Sequence, residues 1–326
     1  MRKRFLLTLL FLPFFLHASK VPFHSYFSKQ TDQLEVEAPW FTGPLLASSG
    51  FTLPPGQFYF EPYIFATANT GIYNSDWKAV KIETLWINFF QPEFEFGLTD
   101  WMDFQIDPTL YYNYTNGAAK WVVGDIPVVF DFQLYRRGAN ITDWTMGLKF
   151  AISETIPIGK YQNLDPKKRL TDMGGMGSWQ TALSLVWGNL FYLGRQKFLT
   201  WRTQFQYTIP SPVHVKNFNV YGGGHGTHGT IFPAQSFLVD TALELTLSRN
   251  WVFAIDLVGR WAGRNHFKGK TIVPMSFPSS AQFSIAPAIE YNWNADLGII
   301  FGPQITIAGR NSAQFVSGIF AFSYYH

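Results

Sequence analysis

"SFLVDTALELTLSRNWVFAIDLVGRWAG", Ser236 to Gly263, decides how the rest of the chain is read. In its first half Phe237, Val239, Thr241, Leu243, Leu245 and Leu247 fall on one face of an extended backbone. Ser236, Asp240, Glu244 and Thr246 fall on the other. The second half repeats the pattern: Trp251, Phe253, Ile255, Leu257, Gly259 and Trp261 share a face, with Asp256 and Arg260 opposite. A period of two marks a strand whose faces meet different surroundings. Arg249 and Asn250, between the halves, are short enough for a hairpin turn.

Outward from this stretch, the same period predicts about twelve strands. They cover 56–66, 82–97, 101–113, 123–137, 143–154, 178–190, 197–209, 236–248, 251–262, 281–293, 295–307 and 313–325. Each is about twice as long as a strand of a soluble protein, and tilted near 45° an 11-residue strand rises about 25 Å. In 82–97 apolar residues occupy both faces, which suggests a bulge. Short connections at 98–100, 138–142, 190–196, 249–250 and 293–294 alternate with longer ones at 67–81, 114–122, 155–177, 210–235 and 263–280. The last connection, near 308–312, is brief.

Composition narrows the class. Aromatic residues make up 18% of the chain and charged residues only 14%, against about 25% charged in an average chain. That balance argues against disorder and against nucleic-acid binding. The opening "MRKRFLLTLLFLPFFLHAS" carries three basic residues, an apolar run and Ala18, the pattern of a secretory signal cleaved after Ala18. Pro13 interrupts the run, which is too short for a spanning helix. Loss of Arg2, Lys3 and Arg4 lowers the basic count from 25 to 22, equal to the 22 acidic residues. With no cysteine, stability has to come from backbone bonding and packing.

Export without a spanning helix leaves a soluble secreted β protein or a membrane barrel. Tryptophans decide between them: Trp101, Trp251 and Trp293 flank short turns, while Trp121, Trp179 and Trp261 flank long loops, as in two interfacial girdles. Pro62, Pro108, Pro287 and Pro303 fall on the apolar face inside strands, where bulges are expected. "AQFVSGIFAFSYYH" alternates to His326, as in barrels whose last strand is read by the barrel-assembly machinery. The fold class read from these features is all-β: a transmembrane antiparallel up-and-down β-barrel of about 12 strands, with short periplasmic turns and long outer loops. Residues 1–18 are the signal, 19–55 an N-terminal segment and 56–326 the barrel. The localisation expected is the bacterial outer membrane.

With the apolar face given to lipid, the other face lines the lumen. It carries Glu61, Asp103, Asp107, Asp125, Asp131, Lys149, Arg202, Asp240, Glu244, Asp256, Arg260 and Glu290, with Glu93, Glu95, Asp296 and several glutamines beside them. Two readings of this face stay open. Asp256, Glu244 and Glu290 could pair with Arg202, Arg260 and Lys149 in a satisfied polar core, or the excess of acids could favour the passage of cations. Segment 19–55, polar and then rich in Pro and Gly, lines or plugs the lumen or lies in the periplasm.

"YGGGHGTHG", Tyr221 to Gly229, sits in the longest loop. A phosphate loop needs a strand before it, a helix after it and usually a lysine, and no helical pattern follows. His225 and His228 are spaced like a pair of metal ligands and His214 could join from the same loop, but no cysteine or nearby carboxylate completes a set. A mobile glycine-rich outer loop is expected, with no metal site and no cofactor. No serine and histidine approach one another in a strand, so no catalytic site is expected.

Three stretches carry a resemblance. They are "GFTLPPGQFYFEPY"; "VGDIPVVFDFQLY", with Gly124 and Asp125 at a strand start and Val122 where a further glycine would stand; and "PIGKYQNLDPKKRLTDMGGMGSWQTALSLVW", with Pro157, Gly159, Gly175, Gly177 and Ser178 at strand ends. Together they resemble the outer-membrane barrel family named for the meta-pathway of phenol degradation. That resemblance implies a transporter of aromatic or other hydrophobic compounds working by facilitated diffusion. Expected partners are outer-membrane lipid, a small-molecule solute and the assembly machinery. Two other readings stand beside it: a surface structural or adhesive barrel with a closed lumen and partner-binding loops, and a general cation-preferring porin.

Overall fold

The computed structural model describes residues 36–326 except 139, 273, 274 and 276. The expected signal and residues 19–35 lie outside the described residues. The wall begins with β1 (Phe58–Tyr73), β2 (Ala79–Thr99), β3 (Met102–Ile106), β4 (Leu110–Thr115), β5 (Ala118–Val123) and β6 (Ile126–Arg137). It continues through β7 (Thr145–Ile156), β8 (Gln180–Gly194) and β9 (Lys197–Pro210). Two short strands, β10 (Val213–Lys216) and β11 (His228–Phe232), precede β12 (Ser236–Thr246) and β13 (Trp251–Ala262). After the short β14 (His266–Lys270) come β15 (Ser280–Asn292), β16 (Leu297–Arg310) and β17 (Ser312–Tyr325).

Each strand pairs antiparallel with its sequence neighbour in the wall, and β1 pairs with both β2 and β17, which closes the sheet. β3 and β4 are two halves of one wall strand, and β5 and β6 of another. The result is a 12-strand barrel. A backbone pair between Phe58 and His326 continues the β1–β17 ladder.

The alternation in sequence is the alternation of the wall. On β12 and β13 Leu243, Leu245, Phe253 and Leu257 are 36–48% exposed, whereas Asp240, Glu244 and Asp256 are at most 3% exposed. Apolar side chains therefore face outward and carboxylates inward, the arrangement of a barrel built to sit in lipid. Trp101, Trp251 and Trp293 at one end and Trp121, Trp179 and Trp261 at the other are all exposed, forming two belts.

Several expectations are corrected. The stretches 67–81 and 114–122 are mostly strand, since β1 and β2 pair as far as Tyr73 and Ala79 and β4 and β5 turn over at 116–117. Residues 79–83 are exposed throughout. Where a strand rises beyond the apolar band both of its faces are exposed, so its hydrophobic period fades while its ladder continues.

The prolines do not make bulges as a class. Pro62 faces Pro92 in unbroken register. Pro287 and Pro303 lie where the β15–β16 ladder lapses between Ile285 and Ile289. Pro108 separates β3 from β4. The bulge expected in 82–97 is present as a register shift opposite Asn69 and Gly71.

The longest loops are folded. β10, β11 and β14 form a separate three-stranded sheet over a cluster of Val213, Val215, Tyr221 and Ile231. "YGGGHGTHG" is packed into this unit and is not an open glycine run. Tyr221 and Thr227 are buried, Gly224 N–H donates to Thr227 Oγ1 (2.9 Å), and Gly226 N–H donates to Asn217 Oδ1 (3.1 Å). Positive φ at Gly222, Gly223 and Gly226 explains the choice of glycine in so tight a path.

Candidate functional site in the barrel interior

Residues 36–54 run inside the wall, near the short turns, and Gly56 and Gln57 already pair with Gly97 as an extension of the β1–β2 ladder. Val36, Ala38 and Phe41 pack on Ile141, Leu190 and Phe198. Arg249, in a short turn, pairs with Glu37 (2.8 Å) and lies over the Trp40 ring (4.3 Å). From Thr42 to Leu53 the segment forms no strand, so its backbone donors need other partners.

Wall side chains supply them. Thr42 N–H donates to Glu290 Oε2 (2.8 Å), and Leu45, Leu46 and Ala47 N–H all donate to the Asp256 carboxylate (3.0–3.2 Å). Thr52 N–H donates to Gln133 Oε1 (2.8 Å) and Leu53 N–H to Asp103 Oδ2 (2.7 Å). In return Gln133 Nε2 donates to Gly50 O (3.0 Å) and Arg136 to Thr52 O (3.1 Å).

The close approach depends on glycine. Gly147 and Gly188 are paired on β7 and β8, and a Cβ on Gly147 would lie 2.5 Å from Gly50 O. A Cβ on Gly97 would collide with Pro54 O, and one on Gly298 with Thr42 Oγ1. These wall glycines form a shallow track for the segment. Leu45 completes the contact by filling a patch of small residues: Ala254, Ala286, Ala288 and Ala321 with Ile300 and Ile319.

The twelve residues assigned to the lumen from sequence divide by role. Lys149 Nζ lies 3.2 Å from Asp131, and Arg202 Nε 3.0 Å from Glu244, which also accepts from Thr200 Oγ1. Asp240 and Arg260 are diagonal neighbours on β12 and β13. Glu61 accepts from Tyr63 Oη (2.8 Å), and Asp107 from Gln105 Nε2 (3.0 Å). Asp103, Asp256 and Glu290 hold the segment. Glu244 forms the expected ion pair, but Asp256 and Glu290 bind backbone N–H groups in place of the expected cations.

Asp125 stands apart. It lies between β5 and β6 and accepts from Gly159 N–H (2.8 Å) and Met176 N–H (2.9 Å), so it fastens an outer loop and does not line the passage.

Among the described residues, Glu95, Asp103 and Asp131 bring carboxylate oxygens within 4.8 Å of one another, close enough to share a metal ion. The Lys149 ammonium already supplies a cation at Asp131. The outer-loop histidines do not converge in this way: His228 stands between Lys216 and Lys270 in the outer sheet.

Two cavities flank the segment. One, of about 190 Å³, lies between the segment and a wall bearing Tyr59, Tyr63, Tyr325, Glu61 and Glu93. The other, of about 280 Å³, reaches toward the outer loops and is lined mainly by uncharged groups such as Gln180, Gln206, Ser153, Ser184 and Thr208. The three tyrosines were missed because sequence pattern alone merges them with the general excess of rings. The glycine track was missed because a wall glycine has no partner visible in sequence.

No known family and no curated protein matches the chain by sequence. Solved structures do match. An outer membrane channel from Pseudomonas putida F1 superposes with a TM-score of 0.63 over 91% of this chain and 100% of its own, at 14% identity. What is shared is the fold. Two others match at lower similarity. The transport unit of the autotransporter AIDA-I from Escherichia coli has a TM-score of 0.42, 13% identity and coverage of 82% and 90% of the two chains. A mutant of the monoaromatic hydrocarbon channel TodX has a TM-score of 0.37, 12% identity and coverage of 83% and 91%.

Proposed function

We propose that the chain is an outer-membrane channel for passive passage of small solutes, hydrophobic or aromatic compounds among them, and that residues 36–55 stopper it near the short turns. One observation carries the reading: a cavity-bearing lumen is crossed by a segment held through side-chain hydrogen bonds and not by a strand ladder. Such a segment can leave without dismantling the wall. The cargo class is supported by the tyrosines beside the inner cavity, by the small apolar patch under Leu45, and by the sequence resemblance. The fold shared with the Pseudomonas putida channel is consistent with it.

The test is conductance in a planar bilayer under a salt gradient, comparing the chain with and without residues 36–55. The expected result is a closed or rarely open parent and a deletion variant with steady, cation-preferring steps, given the acid-rich wall. An inserted deletion variant that stays silent would overturn the channel reading and favour a closed surface barrel. Anion preference would contradict the assignment of the acidic face to the lumen.

A further inference from the structure

The outer three-stranded sheet has two unlike faces. Val213, Val215, Ile231 and Phe267 cover the apolar cluster beneath it. The other face is exposed and basic. Lys216, His228 and Lys270 stand directly across from one another on β10, β11 and β14, and His214, Thr230 and Lys268 form the next row. At an interstrand spacing of about 4.8 Å each row spans about 10 Å.

Like charges directly opposite in a sheet are destabilising, and native sheets ordinarily intersperse acids. Here none is present. Residues 213–235 and 257–289 contain no Asp or Glu at all. The acids of neighbouring outer segments are engaged elsewhere, Asp172 with Lys160 (2.6 Å) and Glu83 with Arg169 (2.8 Å). None of Lys216, Lys268 and Lys270 forms an ion pair among the described residues.

The position of the face indicates the missing anion. Tyr207, Phe237 and Trp261 lie in register on β9, β12 and β13, exposed to the outside, and form an interfacial aromatic row. β10, β11 and β14 continue from the outer ends of those same three strands. The basic rows therefore stand roughly 20–30 Å further along the chain than the aromatic row, at about 3.3 Å per residue, and less in height because strands tilt. That is past the headgroup level at which such an aromatic row sits, on the water side, where the sugars of a glycolipid and not its acyl chains are met.

We infer that this face binds the phosphate groups of an anionic glycolipid in the leaflet surrounding the outer end of the barrel. Two lysines flanking a histidine offer point-charge donors to phosphate oxygens, and the second row adds Lys268, which lies over the Phe232 ring (5.3 Å), beside His214 and Thr230, which are hydrogen-bonded to each other (2.9 Å). The inference rests on the outer-membrane reading proposed above.

The test uses the full chain refolded in detergent and titrated with lipid A bearing both phosphates, with the same lipid after dephosphorylation, and with inorganic polyphosphate. Bound lipid is counted by native mass spectrometry. The diphosphorylated lipid should bind at least tenfold tighter than the dephosphorylated one, and binding should weaken as salt rises. K216Q/K268Q/K270Q should lose at least tenfold, and K216R/K268R/K270R should retain binding. Because these side chains are exposed, heat-modifiable migration should show both variants folded.

Equal retention of lipid A by the glutamine variant, or tighter binding of polyphosphate than of lipid A, would overturn the inference. Insertion into vesicles, read separately by protease protection, tests the membrane reading. A barrel that inserts but ignores the phosphates defeats this proposal alone.

Discussion

The interior near the short turns and the sheet above the outer loops handle charge in opposite ways. Inside, Asp103, Asp256 and Glu290 are fully buried, and each accepts at least one backbone N–H from a segment with no ladder of its own. Outside, Lys216, Lys268 and Lys270 are exposed, aligned and without an acidic partner among the described residues. Burying a carboxylate costs its hydration unless donors replace it, and backbone N–H groups do so for both oxygens of Asp256 and for one oxygen each of Asp103 and Glu290, so the inner charges hold the chain to itself. An exposed lysine costs little to leave solvated, so the outer charges remain available to something else.

Removing one cation from each region should break this symmetry most clearly. Lys149→Met leaves the buried Asp131 without its counter-charge, a loss of about 3–5 kcal/mol. Urea unfolding in detergent should show it, and adding Asp131→Asn should recover most of it. No recovery would mean that Lys149 acts through its packing and not its charge.

Asp256→Ala comes next. It strips the acceptor from Leu45, Leu46 and Ala47 N–H and should weaken docking of the segment by about 3 kcal/mol while leaving the wall intact. Proteolytic cleavage within residues 36–55 should become faster. Unchanged protection would show that the glycine track alone retains the segment.

Lys270→Gln should have the smallest effect, within about 0.5 kcal/mol and in the stabilising direction, because it relieves repulsion in its row. A clear loss of stability in lipid-free detergent would mean that the lysine has a structural partner and would sharpen the contrast in the other direction.

Much of the wall was legible in sequence because an apolar outer face against a polar inner one imposes a period of two along each strand. Ser236–Thr246 and Trp251–Ala262 show this at almost their full lengths. Legibility failed where that constraint ends. β1 and β2 continue past the apolar band, where the first residues of β2 are exposed on both faces, and β10, β11 and β14 are too short to show a period. The inward position of Asp256 could be read from alternation, but its role could not. Its partners lie more than 200 residues away, in a segment whose Pro and Gly content gives no sign of what it touches. Glu244 and Arg202 were easier, since opposite charges on the inner faces of adjacent strands are natural partners.

The pairing of β1 with β17 has a consequence for assembly. These two strands come from opposite ends of the barrel sequence, so the ladder that seals the wall is also its least local contact and carries the largest loop-closure cost. The segment ahead of β1 has its partners on β3, β6, β13 and β15, on the inner side of that seam. The guest is thus tethered to the first strand of the very seam that closes beside it, so docking the segment and sealing the wall draw on the same stretch of chain.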